Sequence, residues 1–176
     1  EYKAWPNDVA YDVFVPYRHA RMRAHPWGGG CEPVWFKGRV RNCRVLTVVG
    51  EQLIDGILQA IRGFNAQSAG LDQAGREALT NAIGDQINTG EPPKDDVDVQ
   101  RGVIVVYGQG RTKTTRYVMN LSAAYTWTGE ICAESAQRIL EGQLERRGFQ
   151  SAATAFGHRQ LIRTFNMNGF CSALPG

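Results

Sequence analysis

Arg18, His19, Arg21, Arg23, His25 and Trp27 crowd into one short stretch of the chain, and Gly28, Gly29 and Gly30 follow directly. Guanidinium groups grip carboxylates and phosphates bidentately, imidazoles exchange protons near neutral pH, and an indole can floor a pocket for a planar or apolar group. Arg18, Arg21 and Arg23 are therefore candidate clamps for an anionic small molecule, His19 and His25 candidate acid–base groups, and Trp27 the candidate pocket floor. Gly28 and Gly29 would let backbone come close to that ligand. The alternative keeps the same residues structural, with the arginines paired to nearby acids and Trp27 packed on the core.

Charge supports looking there. The whole chain carries +3, yet between Arg18 and Arg44 seven basic residues face Glu32 alone, a local +6 that leaves −3 for the remainder. A local excess suits a small anion. A nucleic-acid track would need a basic face spread along more of the chain, so nucleic acid is not an expected partner. A second polar and aromatic concentration, Tyr125-Thr126-Trp127-Thr128-Gly129-Glu130, stands where a helix is expected to begin. Free amides at a helix start attract anions, and Tyr125 and Trp127 would line the cleft beside them. The alternative is a plain capped helix with an aromatic anchor and Thr128 as N-cap.

Other motifs are excluded by context. Gly108-Gln109-Gly110 follows an apolar strand, but Lys113 stands where a dinucleotide fingerprint has its third glycine, and a strand follows in place of a helix. The glycine run at 28–30 precedes neither a helix nor Lys-Ser/Thr, so it is not a P-loop. No Gly-x-Ser-x-Gly elbow occurs, and the sequence shows no activating base for Cys31 or Cys132. Cys31, Cys43, Cys132 and Cys171 form no CxxC pair, so reduced thiols and a cytoplasmic location are expected. His19, His25 and Cys31 recur every six residues with Cys43 beyond, a spacing of no familiar zinc module, and no metal is assigned.

The elements that would position these groups follow from periodicity. Alternation over 9–15, closed by Pro16, predicts a strand, and 17–30 reads as a loop. Further strands are expected at 34–36 and 40–49. From Glu51, the residues Leu53, Ile54, Ile57, Leu58, Ile61 and Phe64 mark one helical stripe. Asp72 then caps a helix running to about Asn88, whose Ala74, Ala78 and Ala82 suggest close packing on a neighbour. A hairpin is expected from 103–107 and 114–121 around a turn at 108–113. A third long helix is expected over 129–144, with Cys132, Ala133, Ala136, Ile139 and Leu140 inward. Residues 149–176 give no clear assignment. Strands grouped around helices without strict alternation predict α+β, with an antiparallel or mixed sheet and helices packed mainly on one face. At 176 residues this is expected to be a single α+β domain, 1–176, and a start at Glu1 allows a fragment of a longer chain. The apolar run at 103–107 is far short of the roughly 18 residues a membrane helix needs, so no membrane partner is expected.

From Gly102 to about Gly148 the order of features resembles the C-terminal substrate and dimerisation domain of saccharopine dehydrogenase-like oxidoreductases. The residues that carry it are Gly102-Val103-Ile104-Val105-Val106-Tyr107-Gly108 with Arg116-Tyr117, then Tyr125-Thr126-Trp127-Thr128-Gly129 opening a helix through Ala133, Ala136 and Leu140 to Gly142. The resemblance implies a substrate-binding or catalytic domain acting on an anionic small molecule. It also implies that NAD(P) would bind only through a separate nucleotide-binding domain, as a partner, with no cofactor held by this chain alone. The other reading of the residues is a stand-alone α+β ligand-binding or assembly module, a homo-oligomer among its forms, whose aliphatic hairpin offers an exposed edge.

Overall fold

A computed structural model of the protein describes residues 8–16, 20–26, 31–87, 90 and 94–175. The chain divides into two compact units, Glu1–Gly90 and Glu91–Gly176. Each contains a three-stranded antiparallel sheet and helices, so the α+β class is as expected.

In the first unit, β1 (Tyr11–Val15) pairs with β2 (Ala20–His25), and β2 pairs with the two-residue β3 (Thr47–Val48). The strand at β1 was expected; β2 was not. The loop reading of 17–30 is corrected for 20–25, while Tyr17 to His19 and Trp27 to Gly30 lie outside the described residues. Arg-rich sequence has little strand propensity of its own. Pairing supplies what the sequence lacks, since Tyr11 lies opposite Ala24 and Val15 opposite Ala20, and the ladder satisfies the backbone. The strand expected at 34–36 is corrected to the short helix α1 (Glu32–Trp35), with Pro33 at its start, where a missing N–H costs nothing. The strand expected over 40–49 shrinks to β3, because among the described residues 40–46 find no neighbouring strand.

α2 (Glu51–Gln67) lies against β2 and buries Ile54, Leu58 and Ile61, as their spacing predicts. Each such burial contributes about 1.5–3 kcal/mol. Leu53, expected inward, is exposed. α3 (Gln73–Gln86) begins where expected, with the Asp72 carboxylate accepting from the Gly75 amide at 2.8 Å. Its expected close packing is not found, since none of its residues is buried.

In the second unit, β4 (Gly102–Gln109) and β5 (Thr114–Leu121) form the expected hairpin, and β6 (Cys171–Pro175) joins on the other side of β5. The turn tightens to Arg111 and Thr112, closed by the Gly110 N–H donating to the Lys113 carbonyl at 2.9 Å. Three helices, α4 (Ala124–Leu140), α5 (Ala152–Phe156) and α6 (His158–Met167), follow the hairpin. Leu121 and Cys171 lie opposite one another and join Ala155, Phe156, Leu161 and Phe165 in one core, with Met119, Trp127 and Ile131 packed around it. Met119 and Leu121 share one face of β5, so the helices cover that face. Between α5 and α6 the chain turns at Gly157, whose φ of +79° favours glycine. A side chain there would also meet the Glu145 carboxylate at 2.7 Å.

α4 starts five residues earlier than expected and stops at Leu140. Its orientation is the larger correction. Trp127, Ile131, Glu134 and Arg138 face inward, while Cys132, Ala133, Ala136, Ile139 and Leu140 are exposed, Leu140 at 87%.

Candidate functional site

Strand geometry places Arg21, Arg23 and His25 on one face of β2, because side chains two residues apart share a face. They descend from solvent to interior. Arg21 is exposed, Arg23 is partly covered, and His25 is 2% exposed. The Arg23 guanidinium donates to the Asp55 carboxylate of α2 at 2.6 Å, so one of the three candidate clamps is already paired. Arg44, from the same basic stretch, stacks over the Tyr11 ring with 4.6 Å to the centroid. Among the described residues no acid pairs with Arg21.

His25 lies opposite Thr47 in the ladder, with Nδ1 3.0 Å from the Val9 carbonyl oxygen. An Nδ1–H donating there leaves Nε2 as an acceptor, and Nε2 is buried without a partner among the described residues. Arg18, His19, Trp27, Gly28 and Gly29, the other members proposed for this cluster, lie outside the described residues.

The second candidate cluster does not form one cleft. Tyr125 and Trp127 are two residues apart inside α4, so they leave the helix on different sides. Tyr125 is 76% exposed, whereas Trp127 packs edge-on against Phe165, 4.7 Å between centroids. The expected N-cap, Thr128, sits within the helix and donates to the Ala124 carbonyl. The helix start is instead closed by Asp95, whose carboxylate accepts from the Thr126 amide at 2.8 Å and from its hydroxyl at 3.3 Å. The anion that this helix start attracts is the chain's own. Asp95 was hidden in sequence by the thirty-one residues that separate it from Thr126.

Sequence reasoning also passed over Arg138. It is 8% exposed and donates to Glu134 at 2.6 Å, Thr164 at 3.1 Å and Gln160 at 3.4 Å, which ties α4 to α6. The spacing of Glu134 and Arg138 signals a helix-face pair, but nothing in it signals burial. None of the four cysteines forms a disulfide. Burial pushes the Cys171 thiol above its ordinary value, and burial followed by the nearby Glu32 carboxylate does the same to Cys43. Neither is thus poised as a thiolate nucleophile. Among the described residues no three His, Cys, Asp or Glu side chains gather as a metal site, and no helix is long and apolar enough to cross a membrane. A depression of about 600 Å³ runs along α3, lined by Leu71, Gln73, Arg76, Glu77, Thr80 and Asn81, and includes none of the candidate site residues.

The outer side of β4 is different in kind. β4 is an edge of its sheet, and no described strand pairs with it there. Hydrogen-bonded pairs alternate along an antiparallel ladder, and Gly110 with Lys113 is such a pair. Gly108, Val106, Ile104 and Gly102 therefore turn their backbone groups toward β5, and Val103, Val105, Tyr107 and Gln109 turn theirs outward. The strand pairs with β5 over eight residues without a bulge and carries neither charge nor proline. Its apolar side chains are exposed on both faces, Val106 at 54% and Tyr107 at 56%.

These features define a two-unit α+β chain with an open, apolar sheet edge in one unit and a graded basic strand in the other. The chain belongs to the family of unknown function DUF5938, whose sequence profile matches residues 1–173. No curated protein and no solved structure matches it.

Proposed function

We propose that this protein is an assembly module that joins polypeptides by strand addition along β4. The open edge carries the reading. Natural edge strands are protected by charge, proline, bulges or short length, and β4 has none of these. Strand addition gives affinity through main-chain hydrogen bonds and selectivity through alternate side chains, and β4 offers four outward-facing residues for the first and Val103, Ile104, Val106 and Tyr107 for the second. Four cysteines without a disulfide are in keeping with a cytoplasmic setting. Amide exchange tests it. The outward amides of Val103, Val105 and Tyr107 are expected to exchange freely in dilute protein and to become protected on assembly. Val106→Lys, at an exposed position, is expected to keep the fold and lose that protection. Protection of these amides at all dilutions would mean the edge is already covered, and the reading falls.

A second reading, an anionic small-molecule site on β2, is favoured by the exposed Arg21, which no acid pairs among the described residues, beside Arg23 and His25. In its oxidoreductase form a nicotinamide nucleotide would come from a separate domain. A thermal-shift panel of phosphate, carboxylates and nicotinamide nucleotides is expected to raise the melting temperature of the wild type and not of Arg21→Ala. No shift in the wild type removes this reading.

A further inference from the structure

Resting on the assembly reading, we propose that the strand added to β4 is the β4 of a second copy of this chain, paired antiparallel about a two-fold axis at Val105. Outward-facing residues pair with outward-facing residues, so the pairing must place odd-numbered positions opposite one another. With Val105 opposite the second copy's Val105, Val103 meets Tyr107 on one face and Ile104 meets Val106 on the other. Every central pair is then apolar, and the Val–Tyr pairs join a β-branched side chain to an aromatic one, a favourable cross-strand combination. Centring on Val106 instead puts Ile104 against Gly108 and Val103 against Gln109, and centring on Ile104 puts Val106 against Gly102 and Tyr107 against Arg101, so either shift leaves three apolar pairs in place of five.

Charge selects the direction. β4 is preceded by exposed Asp96 and Asp98 and followed by exposed Arg111 and Lys113. Antiparallel pairing brings the acidic end of one copy beside the basic end of the other; parallel pairing would set like against like. Two basic residues share the acidic end, Arg101, which donates to the carbonyls of Val97, Asp98 and Gln100, and exposed Lys94, and against Asp95, Asp96 and Asp98 they leave it negative. The opposite edge of the sheet makes a poorer acceptor, because β6 has five residues and ends in Pro175, which has no N–H to donate. Joining β4 to β4 closes on itself, whereas β4 to β6 would propagate. An edge of eight residues alone falls at the small end of specific interfaces, below about 1,200 Å², so the dimer is expected to be concentration-dependent.

The test uses the full chain with Cys31→Ser and Cys132→Ser as background. Val105→Cys places two sulfurs across the axis, with Cα atoms about 5.5 Å apart, within disulfide reach. Under glutathione oxidation it is expected to form a covalent dimer at least tenfold faster than Val103→Cys or Tyr107→Cys alone, while a mixture of those two forms the mixed dimer. Equal rates at the three positions overturn the register. Absence of cross-linking, with a monomer mass by light scattering at every concentration, overturns self-pairing. A synthetic peptide of residues 101–110 then separates the two levels. If it protects the Val105 and Tyr107 amides, the second copy fails as partner while strand addition stands; if it does not, both fail. Growth into fibres overturns the closed dimer.

Discussion

Arg138 donates to Glu134, Gln160 and Thr164 from a nearly buried position, so its removal strands a carboxylate inside the second unit. Arg138→Ala is expected to lower stability by about 3 kcal/mol, the range for breaking a buried pair. Replacing both partners, Arg138→Met with Glu134→Leu, is expected to recover most of that in urea unfolding. The cysteines give a pH-dependent counterpart. Burial raises the folded-state pKa of Cys171 above its ordinary 9.0, so the folded protein favours the thiol over the thiolate. The resulting stabilisation is complete below that ordinary value and is lost as pH rises through the folded pKa. The urea midpoint is expected to fall as pH rises above about 9, and to fall less in Cys171→Ala. The reduced thiol was expected from sequence, whereas the Glu134–Arg138 pair was passed over although its spacing is that of a helix-face pair. Their burial depended on which helices arrived opposite.

α4 is the element at which local pattern and final packing diverge most. Cys132, Ala133, Ala136, Ile139 and Leu140 make a plausible apolar stripe, yet the stripe through Trp127, Ile131, Glu134 and Arg138 is the one turned inward. A large indole beside Phe165 outweighs several alanines in buried area, and the charged pair is tolerated because Gln160 and Thr164 complete its hydrogen bonds. Ile131→Lys is therefore expected to cost about 3 kcal/mol or more, and Leu140→Lys to stay within about 0.5 kcal/mol, as read by denaturant midpoints. The reverse ranking would restore the face expected from sequence. Capping adds a second check. Asp95→Ala is expected to cost about 1 kcal/mol through the loss of its bonds to Thr126, and Thr128→Ala much less. α2 and the β4–β5 hairpin were legible because each has a single strong period. β2 was not, because its ladder with β1 overrides a composition that reads as loop.

For the whole molecule, the uneven charge noted in the sequence becomes two different features. Around β2 it is partly neutralised by Asp55 at Arg23, while Arg44 keeps its charge and stacks over the Tyr11 ring. At the two ends of β4 it is segregated, with Asp96 and Asp98 at one end and Arg111 and Lys113 at the other. Association through β4 is therefore expected to weaken with salt, since exposed charges are screened beyond about 10 Å at 0.1 M. Reversing one end, Arg111→Glu with Lys113→Glu, is expected to abolish the dimer in light scattering. Adding Asp96→Lys and Asp98→Lys is expected to restore it. Failure of that restoration would show that the end charges do not set the direction of pairing.

The amino-acid sequence by itself determined the α+β class, the stripe of α2, the Asp72 cap and the β4–β5 hairpin, because helix and strand periods and local capping are properties of neighbouring residues. Only the tertiary structure decided that the basic stretch at 20–25 is a strand, that Asp95 closes α4, that Arg138 is buried and that β4 ends its sheet unpaired. Each of those depends on a partner in another element, or on the lack of one among the described residues, and the pattern within the segment itself does not record it.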